Sequence, residues 1–316
     1  MKTTRLAVPA IPTRIFHRAV SPAPSAGAAV AGNLLALLLF ATPGTSRADN
    51  LFVASPTYGT IEEFNSSGVG TTFASGLSGL GVLAFDNAGN LYATVGSGIE
   101  KFNSSGIGTV FASSGVSAPT GMAFDSAGNL FVANNGNQTI EEFSSLGVGS
   151  VYASLGAVAT YGLACDSTGN LYVPTGNDNQ IEEFNPSLGT WSSFASGLPL
   201  LDYPANLTFD SAGSLYVVNI NSANIAKFNS SGGGSVFASF GATVPWGLAC
   251  DSADNLYTVV GNTIEEFNSS GVGMNFASLE PTYHPALAFQ PVPEPSTWAL
   301  LAGGLVALVS VKRRLA

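Results

Sequence analysis

The chain has 316 residues, of which 10 are Lys or Arg and 20 are Asp or Glu, so only 9% are charged and the net charge is −10. Soluble domains average about 25% charged residues, so this surface has to be built from Ser, Asn, Thr and Gly. An acidic balance argues against a nucleic-acid partner, which needs a basic footprint for phosphate, and two Cys with two His leave little for a Cys/His zinc centre or a disulfide-stapled scaffold.

The N-terminal region is basic. Lys2, Arg5, Arg14, Arg18 and Arg47 precede Asp49, and no acidic residue does. An Ala/Leu run, AGAAVAGNLLALLLFA, follows and ends at Ala41. Ser46 and Ala48 then occupy the −3 and −1 positions of a cleavage site, which predicts a secretory signal peptide over residues 1–48. The competing reading, a buried Ala/Leu helix, suits the basic leader less well. From Asp49 to Pro291 there are 19 acidic residues and two lysines, a net charge of −17.

This middle region repeats. An apolar strand ending in Asp recurs at Asp86, Asp125, Asp166, Asp210 and Asp251, spaced 39, 41, 44 and 41 residues, with a sixth copy ending at Gln290. Each of the five Asp copies runs into a turn such as DSAGN and a second strand. A third strand such as Thr139–Phe143 and a fourth such as Gly234–Ser239 complete the unit. The runs are rich in Val, Phe, Tyr, Leu and Thr and are bounded by Asp, Asn, Ser and Gly, the pattern of short strands. Four short strands per ~40 residues predict an all-β, six-bladed β-propeller over residues 49–291. The region starts in mid-unit at Asn50 and ends on a leading strand, PALAFQ, so the two fragments predict one composite blade that closes the ring.

The unit from Asn129 to Phe143, NLFVANNGNQTIEEF, resembles the NHL repeat family. The resemblance also extends to the gluconolactonase-type and streptogramin-lyase-type propellers. It implies a six-bladed ring and leaves function open, because propellers host binding, scaffolding and several chemistries.

Positions common to every blade serve the fold first, so Asp86, Asp125, Asp166, Asp210 and Asp251 are expected to cap turns, with calcium ligation the lesser reading. Departures from the repeat are the better functional candidates. Before the Phe of the third strand stand Glu63, Lys101, Glu142, Glu183, Lys227 and Glu266, and the two lysines are expected to relieve repulsion in a carboxylate ring. Five residues before each repeat Asp, or before Gln290, stand Gly81, Thr120, Tyr161, Ala205, Trp246 and Pro285. This position is expected near one mouth of the channel, where Tyr161 and Trp246 would offer an aromatic platform to a sugar or apolar ligand. Tyr203, Tyr283 and His284 lie close in register, and the longer segment GLPLLDYPAN is expected to overhang the same face. Packing is the commoner fate of such aromatics. Cys165 and Cys250 each replace the Phe of an AFD triplet, two blades apart, and are expected to be buried free thiols.

The C-terminal segment, residues 292–316, carries Pro293-Glu294-Pro295, an apolar stretch to Val311, and the basic tail Lys312, Arg313, Arg314. From Pro295 to Val311 is 17 residues, roughly 25 Å as a helix, just enough to span a bilayer as a transient anchor. The three parts in this order resemble the PEP-CTERM sorting signal of Gram-negative bacteria. That resemblance implies an exosortase-type partner, export, and placement at the cell surface or in an extracellular matrix beside exopolysaccharide. The favoured function is therefore a non-catalytic binding or scaffold propeller for glycan or peptide. His284 is the one histidine outside the leader, and no nucleophile-elbow motif accompanies it. No cofactor is implied beyond a divalent cation. The alternative, a metal-dependent lactonase-like or lyase-like enzyme, would need that cation, with Asp202, Asn206, Asp178 and Asn177 as oxygen donors.

Overall fold

The computed structural model describes residues 49–156, 159–197 and 199–291. The expected signal peptide 1–48, and the expected anchor with Pro293, Glu294, Pro295, Lys312, Arg313 and Arg314, lie outside the described residues. Between them are six four-stranded antiparallel sheets. Blades one to five are continuous in sequence, at residues 80–112, 119–154, 164–196, 204–239 and 245–278. Blade six is composite: Ala286–Phe289 is its inner strand and residues 51–74 supply the other three. Pairing of Leu51 with Phe289 and of Ala54 with Ala286 joins the two ends of the ring. The Gln290 N–H, donating to the Asn50 carbonyl at 3.0 Å, extends the ladder. A six-bladed ring closed by a composite blade is thus what the chain forms.

Burial follows the distance from the axis. Second strands such as Leu51–Ser55, Leu130–Asn134 and Leu215–Asn219 are buried along their whole length, because both faces pack on other strands. In the third strands the Ile and Phe of Ile-Glu-Glu-Phe are buried and the glutamates are half-buried, with Glu141 of blade two buried as well. Outer strands such as Gly70–Ala74 are exposed at their beginnings and send in only an aromatic ring and an Ala. Those rings build the contacts between blades. Phe52 meets Phe73 and Phe85 with centroids at 5.0 and 5.1 Å, and Tyr92 meets Phe111 and Phe124 at 5.0 Å each. Tyr172 with Phe194 and Phe209, and Tyr257 with Phe276 and Phe289, repeat the arrangement.

At the other two interfaces the third ring is missing. Phe131 meets Tyr152 and Tyr216 meets Phe237, while Cys165 and Cys250 take the place of the third aromatic. Both cysteines are free. Burial, reinforced by nearby aspartates, pushes each thiol up to about 12.

Blade three departs from the pattern. Its inner strand shrinks to Ala164–Cys165, with a single further bridge between Thr160 and Thr175. The second strand opposite carries Pro174 where the other blades have Thr94, Ala133, Val218, Val259 and Ala54. Proline has no N–H for the ladder, which accounts for the interruption. Near the axis, inner strands approach so closely that a Cβ on Gly121 would meet the backbone of Leu163 and Gly162.

Candidate functional site

The repeat aspartates sit where the inner strands leave the ring, at one mouth of the channel. The Asp86 carboxylate accepts from the N–H groups of Ala88 and Asn90, from Asn90 Nδ2 at 2.7 Å, and from the Tyr92 hydroxyl at 3.3 Å. Asp166, Asp210 and Asp251 hold the same kind of turn and also accept from Tyr172, Tyr216 and Tyr257. Asp125 bonds Asn129 and faces Phe131, which has no hydroxyl to give. Burial alone would raise the pKa of Asp166, but bonds from Thr168 and Asn170 outweigh it and hold the carboxyl below its ordinary value. Bonds from Ser214 and Lys227 do the same for Asp210 against its burial.

The two lysines lie on the same face of the ring, further from the axis, and do more than separate glutamates. Lys227 Nζ lies 3.3 Å from Asp210 Oδ2, 2.6 Å from the Tyr216 hydroxyl and 4.7 Å from the centre of that ring. Lys101 lies 3.8 Å from Asp86 and 5.0 Å from the centre of the Tyr92 ring. Each lysine is thus packed on the tyrosine and aspartate of its own blade. The expected role between neighbouring blades gives way to this local pairing, because the cross-strand partner of Lys101 is Tyr92 and that of Lys227 is Tyr216.

The channel holds a cavity of about 310 Å³ lined by the six inner strands. The strands turn their unpaired edges toward the axis, so backbone N–H and C=O groups line it. Thr120, Asn206 and Thr208 add polar side chains, and the rest of the lining is Gly, Ala and larger apolar residues with the two cysteines. The lining contains no carboxylate. Divalent cations such as calcium take carboxylate oxygens, so the donor set does not fit the cation that a lactonase-like site would hold. Asp178 lines a different cavity from Asn206, and among the described residues no three His, Cys, Asp or Glu side chains gather as a metal centre.

The opposite mouth is aromatic. The Tyr161 and Tyr203 hydroxyls share a 2.6 Å hydrogen bond, with ring centres 5.4 Å apart. Gly176 makes room for them: a Cβ there would crowd both rings. Trp246 lies against His284 at 4.1 Å, and His284 stacks on Tyr283 at 4.2 Å. Tyr161 and Trp246, expected to share one platform, thus fall in two separate aromatic groups, each formed across a pair of adjacent blades. Partial burial of the imidazole lowers the pKa of His284 from its ordinary value and favours the neutral ring. Tyr203 and His284 have φ of 58° and 50°, left-handed values that bulky residues avoid, and each precedes a proline. Ala118, before Pro119, and Gly79 take the same left-handed backbone at the entry to blades two and one, so the conformation belongs to the way the chain enters a blade.

Of the segment expected to overhang this face, Gly197 and Pro199 are exposed, whereas the stretch from Leu200 to Pro204 is drawn in against the ring. Leu201 is buried in the core of blades three and four. Asn219 accepts from the Asp202 N–H and donates to the Leu200 carbonyl, while the Tyr203 N–H donates to Asn179 Oδ1 at 2.7 Å. Asn134 pins Gly115 and Ser117 in the same way in blade two. These two asparagines are loop clamps, not the hairpin-turn residues their type suggests. The signal in the sequence was their shared place at the end of a second strand.

Comparison with known proteins fixes the class. At TM-score 0.68 and 21% identity, the chain is similar to a solved nidogen/laminin complex chain, covering 78% of this chain and 99% of that one. A catalytically inactive histidine-to-alanine virginiamycin B lyase from Staphylococcus aureus, solved with quinupristin, gives TM-score 0.57 at 16% identity and covers 74% and 86%. A gluconolactonase from Xanthomonas campestris gives 0.56 at 16% identity, covering 75% and 87%. At these identities the likeness is one of fold. The protein is a six-bladed β-propeller. Its residues 291–314 match the PEP-CTERM protein-sorting motif, which implies export with membrane-anchored sorting by exosortase. No curated protein matches the chain in sequence.

Proposed function

We propose that the ring is a non-catalytic binding or scaffold module of the cell surface or matrix, and that its aromatic mouth takes a glycan such as an exopolysaccharide segment. The observation that carries this reading is the grouping of Tyr161 with Tyr203 and of Trp246 with His284 and Tyr283, in a ring whose other positions of that register are Gly81, Thr120, Ala205 and Pro285. Aromatic faces with a nearby hydroxyl and imidazole suit the apolar face and hydroxyls of a sugar. The repeat aspartates are meanwhile occupied as turn caps. A glycan array probed with the full-length protein tests the reading. Trp246→Ala and Tyr161→Ala are each expected to weaken the recovered glycan about tenfold, and unchanged binding in both variants would sink it.

The second reading is a lyase-like or lactonase-like enzyme. It is favoured by His284, an imidazole at the mouth whose burial disfavours the charged form, and by the inactivity of the histidine variant of the similar lyase. Ring opening of a cyclic depsipeptide or an aldonolactone, abolished by His284→Ala, would replace the first reading.

A further inference from the structure

A separate cavity of about 400 Å³ lies between blades two and three, lined by Leu155, Val173, Thr175, Asp178, Glu182 and Trp191 among others. A cavity at the same register, about 350 Å³ and lined by Glu62, Gly70, Ser278, Leu279 and Glu280, lies between blades six and five, so what sets this one apart is its aromatic wall. Trp191 pairs with Phe184 at the point where the other five blades put Gly70, Gly108, Gly149, Gly234 and Gly273 under their phenylalanines. The indole is held in place. Its Nε1–H donates to the Ser154 carbonyl at 3.0 Å, and the Phe184 ring backs it at 5.1 Å. Val173 and Leu155 form apolar walls, and Asp178 and Glu182 bring two carboxylates to the edge.

We propose that this cavity binds the lysine side chain of a basic peptide. The molecule itself shows the mode of recognition twice. Lys101 and Lys227 each lay an ammonium over an aromatic ring and onto a carboxylate, at 5.0 and 4.7 Å from the ring centre. The cavity offers the same two elements, an aromatic ring and carboxylates, and among the described residues the only Lys or Arg side chains are those two, both engaged in other blades. An apolar stem lies along the indole and the walls while the ammonium meets Asp178 and Glu182. The net charge of −17 over residues 49–291 draws a basic peptide toward the ring. This site is independent of the aromatic mouth and of the reading given to it.

Calorimetric titration of the full-length protein with a pentalysine amide tests the proposal. Trp191→Gly restores the residue of the other five blades, and Glu182→Ala copies Ala226, the residue of blade four at the same register. Each is expected to weaken binding about tenfold. Glu265→Ala removes the same charge at the same register of blade five, without a tryptophan, and is expected to change binding less than about twofold. The fully acetylated peptide is expected not to bind. Should Trp191→Gly fail to fold by circular dichroism, the Glu182→Ala and Glu265→Ala pair decides alone. Equal losses in that pair, or binding of the acetylated peptide, would show that the cavity does not read the ammonium. Preference for glucosamine over pentalysine would assign the site to an amino sugar and overturn the peptide.

Discussion

The two mouths of the channel are built by opposite rules. At the aspartate mouth five of six blades do the same thing: a carboxylate caps a turn, and a tyrosine hydroxyl joins it in four of them. At the aromatic mouth the six equivalent positions hold six different residue types, and two of the adjoining residues, Tyr203 and His284, are aromatic in left-handed backbone. Repetition marks what each blade needs to fold. Divergence among neighbours supplies the side chains on which the proposed glycan site rests.

The largest effects should separate the mouths cleanly. Asp166→Ala removes the acceptor for the Thr168 and Asn170 N–H groups and for the Tyr172 hydroxyl. It is expected to cost about 2 kcal/mol, a drop of roughly 5 °C in Tm for a ring of this size, with glycan binding unchanged. Tyr283 is 74% exposed. Tyr283→Ala is expected to shift stability by less than about 0.5 kcal/mol while weakening the glycan. Thermal melts and titrations on both variants check this. Coupled losses in either variant would erase the distinction.

The same contrast governs what the sequence discloses. Strand boundaries such as Thr139–Phe143 and Gly234–Ser239 are legible because the six copies average away local ambiguity. The composite blade is legible because three strands at one end and a lone leading strand at the other leave one arrangement that completes a four-stranded unit. The partners of individual side chains are not legible. Register places Tyr161 and Trp246 at one mouth, but whether each turns toward the other or toward a flanking residue depends on rotamers and on the Gly176 gap. The burial of Leu201 likewise depends on Asn219, 18 residues downstream, clamping the Leu200 carbonyl. The role of Trp191 is not legible either, because its indole is placed by the Ser154 carbonyl of the preceding blade and not by anything in its own repeat.

Acid titration sharpens the comparison at a smaller scale. The carboxyls of Asp166 and Asp210 are held below their ordinary 3.8, so the folded state binds fewer protons than the unfolded state near that pH. Their contribution is fully present above 3.8 and is lost as pH falls through the folded value. Glu141, in the third strand of blade two, is 7% exposed, and burial raises its pKa above 4.5. Its sign is opposite: the contribution is present below 4.5 and lost as pH rises through the folded value. Urea midpoints from about pH 2.5 to about pH 7 should show both trends. Asp166→Asn is expected to flatten the acid limb, and Glu141→Gln to stabilise the ring at neutral pH with the gain fading below 4.5. A Glu141→Gln variant that is less stable at pH 7 would contradict the burial argument.

The smallest effect is expected at the two places where the aspartate mouth itself departs from the repeat. Cys165 and Cys250 stand two blades apart, both are free, and burial pushes each thiol up to about 12. The thiolate is the reactive form, so the folded ring should resist iodoacetamide at about pH 8, where an ordinary exposed thiol, with a pKa near 8.5, reacts readily. In urea both sites should label, and intact mass should rise by two adducts with no loss of two hydrogens beforehand. Rapid labelling of the folded protein would mean that these two blade interfaces open, and that the loss of the third aromatic ring has loosened the ring at those points.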